Sequence, residues 1–270
     1  MTSPPNLEAA RAELFDKGFA IVPGVLDPAA TGHAFARLWA AADESERRGV
    51  PTFMPVLDPN ASNVRIFYLM ELDALFRELI QHPIAVDLVT SLIGDRFLIS
   101  NFTANIARPG SRSMALHSDQ SLVVPEPWLQ PWALNIIWCL TDVTFENGAT
   151  LHVPGSHHWQ RRADVPRDAD RRLKPFEAKA GSIIAMDGRV WHTSGANVTA
   201  DQDRALLFGY YTKPFLRQQV NWTAALSAAT QATLSPQMRI WLGLDVNANT
   251  GEVADLRYLE QQFAHEETPA

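Results

Sequence analysis

The stretch FLISNFTANIA, Phe97–Ala107, marks the point at which the chain changes character. It is a β-branched and aromatic run that follows the helix-stopping Gly94. Four more such runs come after it: ALNIIWCLTDV (Ala133–Val143), ATLHVP (Ala149–Pro154), GSIIAMD (Gly181–Asp187) and RALLFGYYT (Arg204–Thr212). Gly, Pro, Asn and Asp turns separate them. Short strands punctuated in this way predict an all-β sandwich or barrel, here over about residues 96–215.

Upstream, the pattern is helical. NLEAARAELFDKG (Asn6–Gly18) sets Leu7, Ala10, Leu14 and Phe15 on one face, with Asn6 as N-cap and Gly18 as stop. FAIVPGVL (Phe19–Leu26) reads as a short strand. The segment from Asp27 to Gly49 opens with Asp27 as N-cap and Pro28 at the first helical position. ELDALFRELIQ (Glu71–Gln81) and PIAVDLVTSLIG (Pro83–Gly94) form a further helix pair, and LSPQMRIWLGL (Leu234–Leu244) a short helix begun by Ser235-Pro236. The expected organisation is one domain: a helical flank over about residues 1–95, a β core over about 96–215 and a C-terminal extension over about 216–270.

The chain has 270 residues, 46% hydrophobic and 20% charged, enough to bury a core without disulfides. Its single cysteine, Cys139, lies in the apolar run LNIIWCL and reads as a small buried hydrophobe, which fits a reducing cytoplasm. A net charge of -7 and the lack of any long Lys/Arg run argue against nucleic acid. No apolar run reaches membrane-spanning length, and MTSPPNLEAARAELF lacks the pattern of a signal peptide. The expected partner is a small molecule. Nothing in the residues specifies an oligomeric state.

Within MALHSDQSLVV (Met114–Val124), His117 and Asp119 stand two residues apart, and in an extended segment they face the same side. Alone, such a pair is more often a polar pair at a strand end than part of a metal site. Of the eight histidines, His33 and His82 fall in helical surface stretches, His265 in the tail, and His152 in a strand. His157 and His158 follow a VPGS turn. His192 sits just past an apolar strand, in MDGRVWHTSGAN. His117, Asp119 and His192 satisfy the two-histidine, one-carboxylate set of non-haem Fe(II) sites. Such a metal often works with 2-oxoglutarate, whose far carboxylate suits a planar guanidinium. Arg204 lies twelve residues beyond His192, and in a strand Arg204, Leu206, Phe208 and Tyr210 share one face. An exposed arginine at the start of a strand is the plain alternative.

On these residues the chain resembles the phytanoyl-CoA dioxygenase family of Fe(II)/2-oxoglutarate-dependent oxygenases. The resemblance runs through FDKGFAIVPGVL (Phe15–Leu26), HSD, ENGATLHVPGSHH (Glu146–His158), GSIIAMDGRVWHTSGAN (Gly181–Asn197) and Arg204. It implies a double-stranded β-helix, or jelly-roll, core with helices packed outside. It implies His117, Asp119 and His192 as the catalytic iron ligands and Arg204 as the partner of the 2-oxoglutarate 5-carboxylate. Ser194 would support that carboxylate, and Asn105 and Thr150 would line the cosubstrate. Asn101, Thr103 and Asn105 would share a strand face, which suits a polar barrel interior or an exposed edge equally. His157 and His158 fall at a structural turn.

The resemblance also implies Fe(II), 2-oxoglutarate and O2, and oxidation of an unactivated C–H bond. Related halogenases carry a small residue in place of the carboxylate, so Asp119 indicates oxygenation, with hydroxylation as the expected outcome. Trp128, Trp132, Trp138, Trp191 and Trp222 fall in or near the expected barrel mouth, with the core as the commoner place for any single one. Phe53, Met54, Phe67, Met114 and Phe215 are expected with them, and Gln120–Val124 as pocket wall. Such a pocket suits a hydrophobic small metabolite in a biosynthetic tailoring step. Arg108, Arg112 and Arg217 leave a CoA-bearing substrate open. The alternatives are a non-redox metal cupin, either an isomerase or a hydrolase, and a non-catalytic β-sandwich binding module.

Overall fold

The computed structural model of the protein describes residues 6–245; His265 and the end of the C-terminal extension lie outside them. The opening helix α1 (Leu7–Lys17) is capped as its sequence requires. The Asn6 side chain accepts from the Ala9 N–H at 3.1 Å, and Gly18 closes it at φ 80°. A side chain at Gly18 would also collide with the His157 ring, 2.7 Å from where its Cβ would lie. The two quoted segments FDKG and GSHH therefore meet in space.

The chain continues through β1 (Phe19–Val22), α2 (Pro28–Arg47), β2 (Asn63–Ile66), α3 (Leu69–Leu72), α4 (Ala74–Ile80) and α5 (Pro83–Ile93). Asp27 caps α2, accepting from the Ala30 N–H at 2.8 Å. The segment expected as one helix before Pro83 is two, because Asp73 turns extended and caps α4 through the Leu75 N–H. The β-rich part follows as β3 (Leu98–Ala107), the short helix α6 (Asp119–Val123), β4 (Ala133–Cys139), β5 (Thr150–His152), β6 (Lys174–Pro175), β7 (Ile183–Asp187), β8 (His192–Ser194) and β9 (Arg204–Thr212). Three 3-10 turns cross between Ser156 and Arg172, and α7 (Trp222–Ala225), α8 (Ala228–Ala232) and α9 (Pro236–Trp241) close the described chain.

The strands make a jelly roll of two antiparallel sheets, one in the order β1-β7-β4-β9-β3-β2 and one in the order β6-β5-β8. The helical flank thus donates both edges of the large sheet. β1 pairs with β7 and β2 with β3, so strand structure begins well before Arg96. Side-chain alternation sorts the core. Ala205, Leu207 and Tyr211 of β9, with Leu134, Ile136 and Trp138 of β4, pack outward against the helices. Leu206 and Phe208, with Ile137 and Cys139, pack inward between the sheets. The Tyr211 hydroxyl is anchored by donating to the Ile80 carbonyl at 2.5 Å. Burial pushes the Cys139 thiol up to about 12, in keeping with its reading as a small hydrophobe.

Three histidines are held neutral by burial. His82, expected on the surface, is half-buried with its ring edge-on to Trp138 at 5.5 Å. His157 is buried beside Gly18. His152 stacks on Phe176 at 4.0 Å, and burial lowers its imidazole to about 4. The unfolded chain takes up a proton on each near pH 6.5, whereas the folded chain does not. Stability therefore falls as the solution is acidified below about pH 6.5, and for His152 the loss runs towards about pH 4 at up to about 1.4 kcal/mol per pH unit. Thermal unfolding followed over this window should show the midpoint falling with acidification. His152→Phe should flatten that slope; an unchanged slope would contradict the assignment.

Candidate active site

The site is assembled by a pair of backbone hydrogen bonds. The His117 N–H donates to the His192 carbonyl at 2.9 Å and the His192 N–H to the His117 carbonyl at 2.7 Å. This antiparallel bridge extends the small sheet past β8 and sets the two imidazoles side by side, ring centres 4.4 Å apart and planes tilted by 52°. Each ring is fixed from behind: His117 Nδ1 faces the Ala115 carbonyl at 2.9 Å and His192 Nδ1 the Val190 carbonyl at 3.0 Å. A carbonyl can only accept, so Nδ1 carries the proton and each Nε2 presents a lone pair. Burial keeps the His192 imidazole below its usual range, against the opposing pull of Asp119.

Asp119 Oδ1 stands 3.7 Å from His117 Nε2 and 3.8 Å from His192 Nε2. The three ligand atoms lie within 4.8 Å of one another. The extended backbone reaches only to Ser118, and Asp119 is the first residue of α6. The H-x-D spacing is met by a strand end running into a helix start, not by a continuous strand. The other Asp119 oxygen accepts from Asn135 Nδ2 at 2.7 Å. Two neutral imidazole nitrogens and one oriented carboxylate are a fitting donor set for a divalent iron.

The set opens into a cavity of about 430 Å³ between the two sheets. Arg204, at the start of β9, lines it while only 1% exposed. Its Nε donates to the Gly148 carbonyl at 2.9 Å and its Nη1 to the Asn105 carbonyl at 3.2 Å. Among the described residues it makes no ion pair. Burial lowers the guanidinium to about 10, still charged at neutral pH. The contrast with Arg65 in the same cavity is informative, since Arg65 is neutralised by Asp58 through bonds of 2.7 and 3.0 Å. A buried cation without its own acid fits a ligand that brings a carboxylate.

Ser194, Thr150 and Asn105 line the same cavity. Thr150 pairs with Ser194 across the small sheet, and the Asn105 amide nitrogen is buried without a partner. Ser194 Oγ accepts from the Met114 N–H at 2.9 Å, which leaves its own proton to donate. Asn101, Thr103 and Asn105 all face the cavity, so their strand face is interior.

The aromatic expectation needs correction. Trp128, Trp138, Trp191 and Trp222 are core residues, and Trp132 packs edge-on to Phe215 outside the cavity. Phe53 and Met54 do not line it either, whereas Phe67 and Met114 do, joined by Phe208 and Tyr210. Of Gln120–Val124 only Leu122 is wall. Gln120 is buried and tied to Trp132 N and the Gln130 carbonyl, and Val124 packs with Trp128 and Trp191. Arg108, Arg112 and Arg217 are exposed and line no part of the cavity. Sequence reasoning passed over Asn135 and Arg65, and set Tyr210 on the Arg204 face without giving it a place in the site. The signal for Asn135 was there, as the one polar residue in ALNIIWC. Burial and the charge of Asp119 raise the Tyr210 phenol, so it stays protonated.

The chain matches the model of the phytanoyl-CoA dioxygenase (PhyH) family over residues 15–206. It belongs to that family. Dioxygenase af480 of Aspergillus fumigatus is 54% identical over 263 residues, which are 97% of this chain and 84% of that one. Among solved structures, the carbocyclase SnoK from nogalamycin biosynthesis aligns with a TM-score of 0.65 at 21% identity, covering 87% of this chain and 95% of its own. HygX from Streptomyces hygroscopicus, solved with nickel and 2-oxoglutarate, aligns with a TM-score of 0.61 at 16% identity, covering 78% and 88%. These two likenesses are of fold. The family, the dioxygenase relative and the donor set His117, Asp119 and His192 make the chain an Fe(II)/2-oxoglutarate-dependent dioxygenase, and set aside the non-redox cupin and the non-catalytic sandwich. No described helix is long and apolar enough to cross a membrane.

By this geometry Asn135 would orient Asp119 for a metal. Asn135→Ala should weaken divalent-metal binding by about 10- to 100-fold, read by anaerobic Fe(II) titration, with circular dichroism unchanged. Undiminished affinity would show that the 2.7 Å bond does not orient Asp119.

Proposed function

We propose that the enzyme oxidises, by hydroxylation, an unactivated C–H bond of a hydrophobic small metabolite in a biosynthetic tailoring step, within a single catalytic domain. The observation that carries this reading is the buried Arg204, without a carboxylate of its own, in one cavity with His117, Asp119 and His192. In it, His117 and His192 give Fe(II) their Nε2 lone pairs and Asp119 gives a carboxylate oxygen. Arg204 holds the far carboxylate of 2-oxoglutarate, with Ser194, Thr150 and Asn105 around the cosubstrate. When bound, the metal and cosubstrate supply the oxidising power, drawn from O2, that breaks the C–H bond.

The chain's own contribution is placement and exclusion of water. Asn135 holds Asp119 in one orientation, and the two backbone carbonyls hold each imidazole in one tautomer. Phe67, Met114 and Phe208 give the cavity an apolar side against which a hydrocarbon portion packs. The tailoring role is supported by the origin of SnoK in nogalamycin biosynthesis, and the apolar substrate by that wall.

Anaerobic addition of 2-oxoglutarate to the Fe(II)-loaded protein should give a weak visible charge-transfer band. Arg204→Ala and Asp119→Ala should each abolish it while thermal unfolding still shows a folded protein. Arg204→Lys keeps the charge but loses the planar fork, and should raise the 2-oxoglutarate concentration needed by about tenfold or more. A full-strength band in Arg204→Ala would sink the assignment.

A further inference from the structure

Beside the cavity lies a second hollow of about 440 Å³, between the end of α2, the turn into α3 and the start of α7. Two residues, Phe67 and Gln219, line both spaces. Phe67 is half-buried and Gln219 exposed, so the boundary between the two spaces is only partly covered. Gln219 is tied to the inner cavity by accepting from Asn101 Nδ2 at 3.0 Å. We propose that the outer hollow is a distal subsite, holding the far end of an elongated, mainly apolar, uncharged substrate whose reacting carbon lies in the inner cavity. This rests on the reading of the inner cavity as the site of oxidation.

Three observations converge on it. The first is adjacency, since Phe67 and Gln219 border both spaces and no other lining residue needs to be crossed between them. The second is chemistry. Val50, Leu72, Val220 and Ala225 make an apolar floor, and the charges beside it are already matched. Arg48 pairs with Glu44 at 2.5 Å and with Glu71 at 3.5 Å. Glu71 also accepts from the Ser227 N–H at 3.0 Å. A hollow whose charges cancel favours a neutral end group such as a hydroxyl, carbonyl or amide, and Asn221, whose side chain makes no capping bond to α7, is there to meet it.

The third is backbone conformation. Tyr68 has φ 55° and ψ 36°, and is the one non-glycine residue with positive φ among those described. This left-handed turn separates Phe67, which lines both spaces, from Tyr68, which lines the outer one alone. Conformations that L side chains rarely adopt concentrate at ligand-binding positions.

The test uses the full chain loaded anaerobically with Fe(II) and 2-oxoglutarate, and n-hexanol, n-octanol and n-dodecanol as probes. Binding is read by calorimetry. In the wild type, affinity should keep rising through n-dodecanol, by about fourfold for each further methylene buried. Ala224→Trp, on the exposed side of the outer hollow, fills it without touching the inner cavity. It should stop the gain for n-dodecanol and leave n-hexanol within about twofold, because the cost falls only on the methylenes that reach the filled space. Ala224→Leu should be intermediate, and it carries the test alone if the tryptophan variant does not fold. The proposal is overturned if the wild type binds the three alcohols alike or not at all, or if filling the hollow weakens all three equally. The visible band reports separately: its absence defeats the oxidation reading, while the chain-length series still scores the outer hollow.

Discussion

The inside of this jelly roll holds a permanent positive charge, and much of the architecture follows from accommodating it. A guanidinium that is 1% exposed loses its hydration and must be met by oriented dipoles. Two carbonyls do this, from Gly148 and Asn105. Gly148 has φ 92°, and a Cβ there would approach the Gly195 carbonyl to 3.1 Å, so the turn that presents its oxygen to Arg204 admits glycine almost alone. Burial brings the group down only to about 10, so it stays charged at neutral pH. The second interior arginine, Arg65, has its own buried partner in Asp58. The cavity therefore holds one matched and one unmatched cation, facing the single carboxylate Asp119. That asymmetry suits an anionic cosubstrate.

The distribution of apolar residues follows from the same placement. β9 runs down the middle of the large sheet between β4 and β3, so its two faces meet different surroundings. Its Ala205, Leu207 and Tyr211 bind the helices, and its Arg204, Phe208 and Tyr210 face the ligand space. One strand thus joins the stable half of the molecule to the chemical half.

Part of this was legible in the sequence. The strand alternation at Arg204–Tyr210, the polar face Asn101–Asn105 and the order of His117, Asp119, His192 and Arg204 rest on local spacing, which survives folding. What depends on distant neighbours was not legible. The short run FAIV reads as a strand, but only its long-range pairing with β7 makes it an edge of the large sheet. The tryptophans read as pocket wall because bulk and apolarity suit a wall and a core equally; which element covers each ring decides. The spacing of His117 and Asp119 is compatible with a strand or with a strand end entering a helix, and the choice falls to the cap geometry at Ser118. Asn135 was hidden by its apolar neighbours, although its polarity inside such a run was the clue.

The reciprocal bonds between His117 and His192 carry a consequence for the life of the enzyme. In small domains that fold only around zinc, the ion acts as a staple, and removing it releases the chain. Here the two ligand-bearing segments are already tied by their own main chains, and each imidazole is aimed by a carbonyl behind it. The metal is then a guest in a finished socket. Losing such an ion would leave these main-chain ties in place, so inactivation and unfolding would be separable events.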